Sequence, residues 1–231
     1  MSLINRLFGS KAAPPAKVVV DLEARLAKLE EEAENASPGY KGTPLNKAGD
    51  FALRDGDRAR ALTYYGRAID TFLEDHQREA ARGVANKLIR VHPEAVRTLC
   101  TLTWLDLGAR HMATALLHLR DYVAAAIRVE REQLAADQIY RMAQLTPQDE
   151  FLQGAADALD ALDQAMLATE VRAWAASGGS PDVVLDEAEL AAACLEAAVK
   201  SNTQSTRIAD ARGGDDNPID VRDAIILPDD A

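Results

Sequence analysis

Apolar positions recur along most of the chain at alternating spacings of three and four, the signature of one face of a helix. The first such segment is short. Leu3, Ile4, Leu7 and Phe8 stand at i, i+1, i+4 and i+5, Asn5, Arg6 and Gly9 fall elsewhere, and Pro14-Pro15 stops any helix. Residues 1–17 therefore read as an amphipathic arm with three positive charges and no acid. Its apolar run is too short, and broken by Arg6, for a secretory signal. Val19, Leu22, Leu26, Leu29, Ala33 and Ala36 then form a coiled-coil-like seam over 18–36. Such a helix either lies on the rest of its own domain or pairs with a partner or a second copy.

A turn cluster, SPGYKGTP (37–44), separates that helix from a long helical region. Eight helices are predicted between 44 and 176. They are 44–55 and 57–73 around Gly56-Asp57, 77–91 ahead of Pro93, one ending at Gly108, 110–127, 130–145, and two Ala-rich ones in 148–176. Thr146-Pro147 reads as an N-cap and first helical position, and His92 as an N-cap before Pro93. Ser180-Pro181-Asp182 opens a last helix over 180–200. Residues 201–231 read as an acidic extended tail, because Gly213-Gly214 and two prolines oppose helix. Ile219, Val221, Ile225, Ile226 and Leu227 are more apolar than a solvating tail requires, and suit an extended docking segment that adds to a sheet edge.

Composition narrows the class to all-α. Ala supplies 44 and Leu 27 of the 231 residues, and aromatics are 5%. That is too few aromatic and β-branched residues for a sandwich or barrel. Two Cys cannot staple a disulfide scaffold, and no stretch reaches the ~18 apolar residues of a membrane span. The net charge of −11 argues against nucleic acid as a main partner.

Residues 45–69 carry Leu45, Ala48-Gly49, a Gly56-Asp57 turn, and Ala61, Tyr65 and Ala68 on the following helix. This pattern resembles one tetratricopeptide repeat, the 34-residue helix–turn–helix unit. Gly49 and Ala61 let two helices approach, and Tyr65 fills the gap behind them. Weaker echoes follow: Ala81, Ala85, Leu88 and Pro93, then Ala135, Met142 and Pro147, with the two prolines 54 apart. The resemblance implies an α-solenoid of about four antiparallel helix pairs over 44–176. Its core would rest on Leu62, Tyr65, Leu88, Leu99, Trp104, Leu116, Leu159 and Trp174, with the 18–36 helix over one open end and 181–200 over the other. It also implies a concave groove lined by Thr43, Asn46, Asp50, Leu53 and Arg54. Relatives that grip a C-terminal carboxylate use Lys and Asn at two of these places; Asn46 and Asp50 stand here, so that clamp is not expected.

The remaining chemistry is sparse. His111 and His118 are seven apart, whereas helical metal pairs sit at i and i+4, so solvated or capping roles are expected for them. Cys100 and Cys194 stand alone in apolar helices and read as small buried hydrophobes. Glu30, Glu31, Glu32 and Glu34 read as a solvated face. No phosphate-binding or dinucleotide fingerprint occurs, and no catalytic, cofactor-binding or metal residue is assigned.

The expected function is a non-catalytic scaffold or accessory subunit, mediating protein–protein interaction in a larger assembly. Its partners are other protein subunits. Both termini serve as docking segments, Leu3, Ile4, Arg6, Leu7 and Phe8 in the arm and the five apolar residues in the tail. Lone Cys and no export signal favour the cytoplasm, and the basic arm favours the inner face of a membrane as a peripheral contact. Four buried apolar side chains contribute ~6–10 kcal/mol, while ordering eight residues costs ~8–16 kcal/mol. The arm therefore needs a second contact, more so because the rest of the chain stands at −14. The alternative is a soluble tetratricopeptide-type adaptor or co-chaperone that binds peptides in its groove; a third option is an oligomer joined through 18–36.

Overall fold

The computed structural model describes residues 22–180 and 185–211, with side chains in the second segment as far as Ser201. These residues form ten α-helices and no strand. In order they are α1 (Leu22–Asn35), α2 (Gly42–Asp55), α3 (Arg58–Glu74), α4 (Arg78–Val91), α5 (Val96–Gly108), α6 (Met112–Arg128), α7 (Glu132–Leu145), α8 (Asp149–Ala161), α9 (Ala165–Ser177) and α10 (Glu187–Ala211). Neighbours in sequence pack against each other in an antiparallel α-solenoid.

The turns set this architecture. Between α2 and α3 Gly56 takes φ 90°, the Asp57 N–H donates back to Ala52 O at 2.9 Å, and the Asp57 carboxylate caps α3 by accepting from the Arg60 N–H at 3.0 Å. The same long backbone bond closes four more turns. Gln77 donates to Phe72, His111 to Asp106, Arg131 to Ala126 and Gln164 to Leu159, over 2.7–2.9 Å. Here the left-handed residue is His76, Arg110, Glu130 or Asp163, not glycine.

The two proline-bearing connections, at Pro93 and Pro147, lack this bond, so the chain is punctuated as α2–α3–α4, α5–α6–α7 and α8–α9. Successive first helices start at Gly42, Val96 and Asp149, and successive second helices at Arg58, Met112 and Ala165, steps of 54 and 53 residues. Leu45, Leu99 and Leu152, and Ala61, Ala115 and Ala168, hold matching places and are all buried. The spacing of the two prolines is therefore the period of a three-helix block.

The core follows the sequence closely. Leu62, Tyr65, Leu88, Leu99, Trp104, Leu159 and Trp174 are buried. Leu116 is half-buried, and its Cδ2 lies only 2.4 Å from where a Cβ on Gly154 would stand. A Cβ on Gly49 would stand 2.6 Å from the Tyr65 ring, so the α2–α3 approach requires glycine there. Helix α1 covers the first end. Leu26, Leu29 and Ala33 are buried, and Glu30 accepts from Tyr64 Oη at 3.1 Å and Arg67 at 2.9 Å on α3. The described part of the seam, from Leu22 onward, thus faces the chain's own domain, and Val19 lies outside the described residues.

Helix α10 departs from expectation. It does not cover the far end beside α9 but lies along α5, reaching α3 and α7. The reason is α5 itself, where every residue from Thr98 to Leu107 is buried and flanking helices alone cannot cover so full a circumference. Leu190, Cys194, Leu195, Ala197 and Ala198 supply the cover. A Cβ on Gly108 would lie 3.0 Å from Cys194 Cβ, which shows how closely the two helices approach.

The boundaries of α10 differ as well. It opens at Glu187 through a reciprocal capping box, Asp186 with Glu189, both bonds 2.9 Å. Pro181 and Asp182, the expected start, lie outside the described residues. It continues past Lys200 to Ala211 because no helix breaker occurs before Gly213.

Two expected caps also move. His92 ends α4, its N–H donating to Leu88 O at 2.8 Å, and Ala95 precedes α5. Thr146 is buried at the end of α7, and α8 begins after Gln148. Both residues precede proline, which pushes them to extended backbone and delays the next helix.

Candidate interaction surfaces

Five groove residues were expected on the first repeat helix, and α2 divides them. Asn46 and Asp50 are joined by Lys87 of α4, whose Nζ donates to Asn46 Oδ1 at 3.0 Å and to both Asp50 oxygens at 2.8 and 2.9 Å. Tyr65 Oη also donates to Asp50, at 2.8 Å. Burial, then Asp50, pushes the Tyr65 phenol well above its ordinary range. This polar knot ties α2, α3 and α4 together. Thr43, Leu53 and Arg54 remain exposed. Lys87 carried no signal in the sequence, because its partners Asp50 and Asn46 lie 37 and 41 residues away.

Beside the knot, Phe51 of α2 is half-buried, with two guanidinium groups over its ring. Arg25 of α1 stacks at 5.0 Å from the ring centre and Arg54 at 5.4 Å. Neither makes an ion pair with a described residue. Lys47 is exposed one turn earlier on the same face, at i−4 from Phe51. Asp55 is exposed at i+4 from Phe51, so the seam carries three cations against one nearby carboxylate in a chain of net charge −11.

The sequence missed a buried ionic cluster altogether. Asp106 of α5 is fully buried, with Arg82 Nε of α4 2.7 Å from Oδ1 and His118 Nδ1 of α6 2.8 Å from Oδ2. His111 is half-exposed, 3.8 Å from Oδ1. His118 is therefore neither solvated nor a cap: it is buried and bonded to a carboxylate. Although close, Arg82 Nε and Asp106 Oδ1 are not aligned for a hydrogen bond. The cluster fastens α4, α5 and α6. Spacing along one helix could not reveal it, since its acid comes from the preceding helix.

The thiols are sequestered. Burial pushes both Cys100 and Cys194 up to about 12, far from thiolate chemistry. A cavity of about 30 Å³ beside Cys100, Tyr122, Gln138 and Ser201 has room for about one water. An open cleft of about 300 Å³ runs between α1, α2 and α3 along Ala33, Leu45, Asp70 and Glu74. Glu30, expected in a solvated face, is paired with Arg67.

Among the described residues no three or more His, Cys, Asp or Glu side chains are arranged to hold a metal ion, and no helix is long and apolar enough to cross a membrane. The expected docking residues Leu3, Ile4, Arg6, Leu7 and Phe8, and Ile219, Val221, Ile225, Ile226 and Leu227, lie outside the described residues. No family model, curated protein or solved structure matches the chain.

Proposed function

We propose that the chain is a helical-repeat scaffold with one tetratricopeptide-like helix pair over 45–69, an accessory subunit that joins other proteins without transforming a substrate. Its assembly sits at the cytoplasmic face of a membrane, and its two termini do the docking. The observation that carries this reading is the seat of α10. The chain's own helix fills the face formed by α3, α5 and α7, so an external segment finds that face taken. The polar groups of α2 that a peptide would use, Asn46 and Asp50, are spent on Lys87. Recognition then falls to what the body leaves over, the apolar-studded arm and tail. The arm contributes a marginal membrane affinity and acts together with a protein contact.

The test is fractionation of native cells expressing the full chain or a variant lacking 1–17. The reading expects the full chain to travel with membranes and their complexes, and the shortened chain to move to the soluble fraction. Equal membrane recovery of both would remove the arm from the mechanism. A soluble peptide-binding adaptor is the competing proposal, favoured by the exposure of Thr43, Leu53 and Arg54 on α2. It expects Asn46→Ala with Arg54→Ala to abolish partner capture and terminal truncation to leave it intact.

A further inference from the structure

The Arg25–Phe51–Arg54 seam faces solvent with an aromatic ring, two guanidinium groups that no described carboxylate neutralises, and the Lys47 amine one turn away. Such a surface matches a ligand that is apolar in the middle and acidic at its flanks. Guanidinium groups already stacked on a ring keep their edge N–H groups free for carboxylate oxygens. Most other described Arg side chains on the first three helices are spent: Arg60 on Glu23 and Asp57, Arg67 on Glu30. The seam thus gathers two guanidinium groups and one amine, none paired with a described carboxylate, around one aromatic ring.

We infer that the seam is the docking site of the chain's own acidic tail, residues 212–231. That tail holds six Asp and two Arg. Its apolar run Ile225-Ile226-Leu227 has Asp223 before it and Asp229-Asp230 after it, the complement of a ring flanked by cations. Reach is sufficient. Helix α10 rests on α3, α3 on α2 and α2 on α1. At ~8–10 Å between packed axes the seam is roughly 20–30 Å from α10, and the fourteen residues from Ala211 to Ile225 span ~46 Å when extended. Attachment to the same chain also gives the tail an effective concentration that a separate acidic segment lacks. An anionic bilayer is the poorer occupant, because the body that would approach it is itself acidic. The docked tail latches the C-terminal segment against the α1–α2 end, and a partner that takes up the apolar run must displace it.

Carbodiimide cross-linking of the full chain, read by mass spectrometry, tests this. The expected product joins Lys47 to a carboxylate among Asp215 to Asp230, within one chain when ¹⁴N and ¹⁵N chains are mixed. Arg25→Glu with Arg54→Glu lowers its yield about fivefold, as does 0.5 M salt on the unaltered chain, whereas Arg172→Glu on α9 does not. Circular dichroism confirms that the variants remain helical, and the salt arm needs no variant. Absence of the cross-link, or a yield indifferent to both charge reversal and salt, overturns the inference. Products mixing the isotopes also overturn it, in favour of docking between copies. Loss of vesicle binding in the double variant, without any tail cross-link, assigns the seam to anionic lipid instead. The cross-linking outcomes leave the membrane-fractionation test of the arm untouched.

Discussion

His118 Nδ1 lies 2.8 Å from Asp106 Oδ2, and the pair is shut away from solvent between α5 and α6. With Arg82 it forms a three-helix ionic fastening inside an otherwise Ala- and Leu-rich stack. Removing one member strands the others. Asp106→Ala should cost about 3–5 kcal/mol in urea unfolding. Combining it with Arg82→Met and His118→Leu should recover most of that loss, since apolar replacement of a whole buried ion cluster is often neutral. A single and a triple variant of equal stability would contradict this account.

The left-handed turn residues give a prediction of opposite sign. Glu130 adopts φ 57° between α6 and α7 and is exposed without an ion pair to any described residue. A left-handed L residue costs roughly 1–2 kcal/mol. Glu130→Gly should therefore stabilise the chain by about 1 kcal/mol, read as a rise in thermal midpoint of a few degrees. Gly56→Ala, at φ 90°, should lower stability by a similar amount.

These turns also explain what the sequence could and could not reveal. Gly56 announced the first turn, and the helix count followed from periodicity and from Pro93 and Pro147. His76, Arg110, Glu130 and Asp163 make the same turn without glycine, so the three-helix period stayed hidden behind a two-helix resemblance. The knot at Lys87 and the cluster at Asp106 were illegible for another reason: each is assembled from side chains on different helices. The seat of α10 depended on α5 being buried all round, a tertiary property that its apolar run only hints at.

Glycine substitutions within helices separate packing from propensity. Gly49→Ala places its Cβ 2.6 Å from the Tyr65 ring and should cost about 1–3 kcal/mol. Gly83→Ala, at an exposed position of α4, meets nothing within 4 Å and should gain about 0.5–1 kcal/mol. Denaturant midpoints of the two variants should move in opposite directions.

Alkaline pH should unfold the chain. Burial holds Cys100, Cys194 and Tyr64 up to about 12 in the folded state. In the unfolded chain the thiols release protons near ~8.5 and the phenol near ~10. The folded state thus binds more protons between these limits, so its stability is full below about pH 8.5 and is lost as pH rises towards 12. Urea midpoints at pH 8 and pH 10.5 should show the fall, and Cys100→Ala with Cys194→Ala should flatten its early part.

The claim that this chain holds proteins together through its ends is tested most directly by quantitative affinity purification from native membranes and cytosol. The bait is the tagged full chain, compared with chains lacking 1–17 or 212–231 and with Asn46→Ala/Arg54→Ala. The account predicts that defined protein subunits accompany the full chain, fall several-fold when either terminus is removed, and persist in the α2 variant. Partners that ignore both truncations but vanish with the α2 substitutions would contradict it.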